Sequence, residues 1–137
     1  MPVTFISGHC NITQSEFTEH YRDTIQEASK DPNTQFVVGD CKGVDIMAQQ
    51  LLLSLVGPDR ISVYHLDRKP MYLADKRIRL IGGFRHHEFK DAAMTFASDT
   101  DMAWVRPIED CQRYVRLSGT ARNLLRRKIV ARHLSVT

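Results

Sequence analysis

Apolar and polar positions alternate along this chain in two rhythms, and the places where one rhythm gives way to the other predict its elements. Residues 3–7 form a short β-rich run closed by Gly8, the pattern of a buried strand. Thr13 and Glu16 have the Thr-x-x-Glu spacing of a capping box, and Phe17, Tyr21, Ile25 and Ala28 then recur at helical intervals, which predicts a helix over 14–29. After the turn cluster Asp31-Pro32-Asn33, residues 35–38 read as a second strand, 45–55 as a second helix, and Gly57-Pro58 as its stop. Residues 61–66 predict a third strand. The stretch 67–85 mixes Arg68, Lys69, Lys76, Arg77 and Arg79 with Pro70 and Gly82-Gly83, and is expected to be a long connection with one short helix. Phe89, Ala92, Ala93 and Phe96 restore helical spacing over 86–97, and residues 102–105 predict a fourth strand ended by Pro107. A last helix is expected from about Ser118–Ala121 to about His133, with Leu124, Leu125, Ile129 and Val130 on its buried side and Arg126, Arg127 and Lys128 on its wet face.

Strands separated by helices pair in parallel, because each crossover returns the chain in the same direction. The predicted fold class is therefore α/β: a small Rossmann-like three-layer domain, with a mainly parallel sheet of at least four strands flanked by helices. It is expected to be a single domain over residues 1–137. In such sheets ligands collect at the carboxyl ends of the strands, so a functional loop should directly follow a strand.

Composition narrows the class. The 137 residues are 42% apolar and 26% charged, as in one ordinary globular domain. No apolar run is long enough to span a bilayer, and the N-terminus lacks the basic flank and apolar stretch of a signal peptide, so neither membrane insertion nor secretion is expected. Cys10, Cys41 and Cys111 are odd in number and widely spaced, which suits reduced thiols in a cytoplasmic setting. Charge is less even than its net of +3 suggests: all 16 acids precede residue 111, whereas residues 111–137 carry Arg113, Arg116, Arg122, Arg126, Arg127, Lys128 and Arg132. Such a segment attracts anions, whether nucleotide phosphates, a nucleic-acid backbone or an acidic partner.

Three loops meet the geometric demand: Ser7-Gly8-His9-Cys10-Asn11 after the first strand, residues 39–45 after the second, and residues 118–123 opening the last helix. In the second, Gly39 and Gly43 permit close backbone approach, Lys42 offers a point charge to a phosphate, and Asp45 accepts from ribose hydroxyls or caps its own helix. In the third, Ser118 and Thr120 offer hydroxyls, Gly119 permits backbone approach, and Arg122 presents its fork in the first helical turn, where a cation opposes the macrodipole unless an anion is bound. The expectation is that the two loops meet at one rim, with Lys42 and Arg122 both facing the anion.

Together with Phe5-Ile6-Ser7-Gly8, the run from Val37 to Asp45 with Ala48, and Gly119-Thr120-Ala121-Arg122-Asn123, resemble the SLOG superfamily of Rossmann-like nucleotide-binding domains, particularly its small YspA-like members. The resemblance covers most of the chain in order, although its specific part is these short motifs. It implies that Ser7, Gly8, Gly39, Asp40, Lys42, Gly43 and Asp45 line one side of a nucleotide pocket, with Ser118, Gly119, Thr120, Arg122 and Asn123 forming its phosphate end. It also implies a homodimer or higher homo-oligomer. Relatives include sensors of NAD-derived signals and the Lonely Guy phosphoribohydrolases, whose Gly-Gly-x-Gly-Thr-x-x-Glu motif carries a catalytic Glu. Here one Gly precedes Thr120, and Asn123 stands where the Glu would fall. Another carboxylate can take that role, and Asp40, Asp45, Asp99 and Asp101 are the candidates, although Asp99 and Asp101 read first as a turn closing the preceding helix before the fourth strand.

Capture of a nucleotide or nucleotide-derived ligand, as a sensor or sequestering domain, is thus the leading expectation. An N-glycosidase acting on nucleoside monophosphates comes second, and a nucleic-acid-binding module built on the basic last helix third. Neither a cofactor nor a metal is expected: His9, Cys10, His86 and His87 lack the spacing of metal ligands or of a nucleophile pair, and the two latter begin a helix. Trp104 and Tyr64 are assigned to the core.

Overall fold

The computed structural model describes residues 2–107 and 119–136, with the side chains of 132–136 left aside. Its five strands are β1 (Val3–Ser7), β2 (Gln35–Val38), β3 (Ile61–Leu66), β4 (Arg79–Phe84) and β5 (Thr100–Ala103). They lie in the order β4-β3-β2-β1-β5, and every neighbouring pair is parallel. Among the described residues, four longer helices flank the sheet: α1 over residues 14–29, α2 (Val44–Leu55), α3 (His87–Phe96) and α4 (Gly119–Val136). This is an α/β sheet flanked by helices, a small Rossmann-like three-layer arrangement.

Strand alternation sends successive side chains to opposite faces, and each face finds its own helices. Ile6, Phe36, Val38, Ile61 and Val63 pack against Phe17, Tyr21 and Ile25 of α1 and Val44, Ala48 and Leu52 of α2. On the opposite face Phe5, Val37 and Tyr64 pack against Met94 and Ala93 of α3. The chain steps outward from β1 to β4 and then returns to the far side of β1 for β5. Since crossovers keep one hand, this change of direction moves the later helices to the second face.

Local chemistry starts α1 as expected. The Thr13 side chain accepts from Glu16 N–H while the Glu16 carboxylate accepts from Thr13 N–H, closing a capping box. The helix widens into a π turn at Thr18–Arg22. Within that turn Tyr21 is fully buried; its hydroxyl donates to Ser7 O at 2.7 Å and accepts from Trp104 N–H at 2.9 Å, tying the ends of β1 and β5 together.

Three expectations need correction. The connection 67–85 contains β4 rather than a helix; as an edge strand it exposes Arg79 and Leu80, and Gly82 stands where a Cβ would meet the His65 ring, so neither apolar content nor alternation marks it. The last strand runs Thr100–Ala103, which leaves Trp104 in the loop after it. In α4 the buried positions are Thr120 and Asn123, whereas Leu125 and Ile129 are 48% and 59% exposed. Arg127, assigned to the wet face, grips Asp101 and Ser98, so α4 is held by polar contacts that an apolar-stripe reading passes over.

Candidate functional site

Direction reverses at β1, with β2 on one side and β5 on the other, and the loops that leave the sheet there part to form a crevice. A cavity of about 360 Å³ lies there. Its walls come from the end of β1 and its loop (Ser7, Gly8, His9, Cys10), from the β2–α2 loop (Gly39, Cys41, Asp45), from α3 (His87, Lys90, Asp91, Met94) and from the first turn of α4 (Gly119, Thr120, Arg122, Asn123). Residues 112 positions apart in sequence therefore share one wall. Ser7, Gly8, Gly39, Asp45, Gly119, Thr120, Arg122 and Asn123 are brought together; Ser118 lies outside the described residues, as do Cys111 and the basic residues Arg113 and Arg116.

The remaining expected residues support the wall from behind or stand off it. Gly43 is left-handed at φ 81°, and a Cβ there would press on the His9 and Cys10 carbonyl oxygens, so glycine lets the first two loops touch. Lys42 is exposed and does not line the cavity, which corrects the expectation that it faces Arg122. The lysine in the wall is Lys90. Its Nζ lies 3.3 Å from Asp40 Oδ1 and 3.2 Å from His87 Nδ1. Asp40 thus acts through Lys90, and its other oxygen accepts from Met71 N–H at 2.9 Å. Gln49 joins the same support by donating to Gly39 O and accepting from Ala74 N–H, which pins the β3–β4 connection behind the site.

Gly39 is needed for a different reason from Gly43. A Cβ on it would sit 2.5 Å from Asp45 Oδ2 and 3.4 Å from Lys90 Nζ, so the space a side chain would fill is taken by the carboxylate and the ammonium. Asp45 Oδ2 also accepts from Cys41 N–H at 3.0 Å. Burial pushes the Asp45 carboxyl up to about 7, outweighing that hydrogen bond and the attraction of Lys90. Burial likewise raises Asp91, against the attraction of Lys90, Arg126, His87 and Arg122. For Lys90, burial pulls downward, but the nearby Cys41, Asp91, Asp40 and Asp45 prevail and its proton is held more tightly than usual. Burial also raises Cys41, to about 12, so its thiol stays protonated; His9 is lowered by burial and by Arg106, and its Nε2 accepts from Arg106 N–H.

Ser7 closes the inventory. It is 7% exposed, and its Oγ is the one buried side-chain oxygen or nitrogen among the described residues without a hydrogen-bond partner. Asp99 and Asp101 are elsewhere, as their reading as a link between helix and strand favours: Asp99, just before β5, accepts from Val3 N–H, and Asp101, on β5, pairs with Arg127. Asp91 and Lys90 were missed because a charged pair inside an amphipathic helix looks like a solvated face; only the structure shows that Lys90 is buried while the apolar Phe89 and Phe96 of the same helix are exposed, at 60% and 72%. Among the described residues no three His, Cys, Asp or Glu side chains are grouped to hold a metal ion, and no helix is long and apolar enough to cross a membrane. Comparison of the chain with family models, with curated proteins and with solved structures gives no match.

Proposed function

We propose that the protein captures a nucleotide or nucleotide-derived ligand in this cavity, as a sensor or sequestering domain of the SLOG type that its motifs resemble. The observation that carries the reading is Ser7 Oγ, a buried hydroxyl with an unmet hydrogen bond at a wall it shares with the α4 N-terminus. A buried polar atom left unpaired costs on the order of 1–3 kcal/mol, so its presence at a cavity favours a ligand that satisfies it. In the same lining, the first turn of α4 contributes the Arg122 guanidinium, which makes no hydrogen bond to another described residue and suits a phosphate. The volume lies near the small end of the range for small-molecule sites. Free thiols at Cys10 and Cys41 suit a cytoplasmic setting, and the exposed Phe89, Phe96, Leu125 and Ile129 on the two helices bordering the cavity support a homo-oligomer.

Thermal melting with nucleoside monophosphates, cyclic nucleotides, ADP-ribose and NAD tests the reading. At least one should raise the melting temperature, and Ser7→Ala and Arg122→Ala should each weaken that ligand about tenfold or more. No shift from any of them would overturn it.

A second reading draws on the two carboxyls whose proton affinity burial has raised. Asp45 and Asp91 are suited to general acid–base work, as an N-glycosidase on nucleoside monophosphates requires. Chromatographic detection of free base after incubation with AMP, GMP, CMP and UMP decides it, with Asp91→Asn as the control. The nucleic-acid reading loses ground, since Arg127 is engaged by Asp101 and Ser98 and Arg126 by Asn123.

A further inference from the structure

The segment that follows β5 is tied to the start of the molecule at two points of different chemistry. Trp104 N–H donates to the Tyr21 hydroxyl at 2.9 Å, and Arg106 N–H donates to His9 Nε2 at 2.9 Å. A backbone amide can only donate, so His9 Nε2 carries a lone pair, and the ring is neutral with its proton on Nδ1. Protonation of Nε2 turns that acceptor into a donor facing an N–H. The Tyr21 hydroxyl has no such transition near neutrality, because burial pushes it up to about 12.

The surroundings of His9 leave a charged ring little relief. Its carbonyl accepts from Val44 N–H at 3.3 Å, which fixes its backbone to the start of α2, and its ring meets Trp104 edge-on with centroids 5.9 Å apart. Among the described residues the charged groups that act on the ring are Arg106 and Glu16; the titratable Cys10 adjoins it in the chain, and His20 is stacked on the same Trp104. The Arg106 guanidinium donates to Glu16 at 3.0 and 3.2 Å and to Asn11 at 3.0 Å, so it is held in place as the ring gains charge. Glu16 favours the charged ring, but its carboxylate is already engaged by Arg106 and by Thr13 N–H, and burial and Arg106 prevail. The ring therefore stays neutral to a lower pH than an ordinary histidine.

His9 shares the cavity lining with Ser7 and Gly8. We infer that the His9–Arg106 bond is a pH-sensitive clasp: closed while the ring is neutral, it holds the β1 wall of the cavity to the segment after β5, and proton uptake by His9 opens it while the Tyr21 anchor stays shut. Acidification thus loosens one wall of the cavity and leaves the sheet intact.

Amide hydrogen exchange of the full, ligand-free chain tests the inference, read residue by residue by NMR between about pH 7.5 and 5.0 and corrected for the intrinsic pH dependence of exchange. Protection of Arg106 N–H should fall about tenfold as His9 gains its proton, the loss of one hydrogen bond, while Trp104 N–H keeps its protection. The His9 imidazole signals should titrate with the same midpoint as that loss. His9→Gln offers a non-titrating side-chain oxygen at about the reach of Nε2 and should hold Arg106 protection level across the range. His9→Phe keeps a ring against Trp104 without an acceptor and should leave that protection low throughout. The melting temperature of each variant reports whether it folds, and the wild-type comparison of Arg106 with Trp104 needs neither. A His9 ring that stays neutral across the range, Arg106 protection that does not change as His9 titrates, or an equal fall at Trp104 or in folded His9→Gln would overturn the inference. Because no ligand is present, this outcome is separate from that of the nucleotide panel.

Discussion

Lys90 Nζ on α3 stands 3.3 Å from Asp40 Oδ1 at the end of β2, and both side chains are 3% exposed. The pair joins a helix on one face of the sheet to the loop that carries the cavity's carboxylate, and Asp40 passes the link on to the backbone of Met71 and Tyr72. Removing one member of a buried pair strands the other charge away from water. Lys90→Met should cost about 3–5 kcal/mol in urea unfolding, with Asp40→Asn also destabilising. The double variant should cost clearly less than the two single losses together, and strict additivity would show that the two groups do not depend on each other.

Asp45 gives the folded chain a pH dependence of known sign. Its carboxyl is pushed by burial up to about 7, whereas an Asp in the unfolded chain titrates near about 3.9. Between those values the folded chain keeps a proton that the unfolded chain has released. Stability from this group therefore falls as pH rises from about 4 to about 7, by at most about 1.4 kcal/mol per unit, and levels off above. Asp91, raised in the same direction by burial, adds to the trend. Asp45→Asn should flatten the slope of unfolding free energy against pH. A wild-type slope equal to that of the variant across this window would refute the assignment.

The contacts of α4 predict an inverted pattern of mutational sensitivity. Arg127 donates to both oxygens of Asp101, a carboxylate whose side chain is 6% exposed, and to the backbone and hydroxyl oxygens of Ser98. Arg127→Ala should cost about 2–4 kcal/mol and raise amide hydrogen exchange along α4. Leu125→Ser and Ile129→Ser should each stay within about 1 kcal/mol at protein concentrations too low for association, because about half of each residue is already exposed to water. Equal losses from all three changes would mean that the helix is held by its leucine and isoleucine instead.

The sequence by itself determined the layered α/β plan, because that plan is written in local terms. Thr13 and Glu16 sit one turn apart and close their own capping box, Phe17, Tyr21 and Ile25 repeat at helical spacing, and the strand runs at 3–7, 35–38 and 61–66 match the strands found. Glycine was informative where a loop had to be crossed closely, as at Gly43, and the order of strands and helices was enough to direct attention to the carboxyl edge of the sheet. Tertiary structure alone decided which charges face one another. Lys90 is far along the chain from Asp40 and Asp45, and only the fold of α3 against the sheet brings them together, while Lys42, close in sequence to the same carboxylates, stays in solvent. The same holds for β4, whose edge position releases it from the apolar alternation of a buried strand, and for α4, where Asp101 on β5 and Ser98 just before that strand turn an apparently solvated arginine into the packing residue. Periodicity and caps depend on residues a turn or less apart; burial and ion pairing depend on where the closed chain puts its surfaces, and no local pattern carries that information.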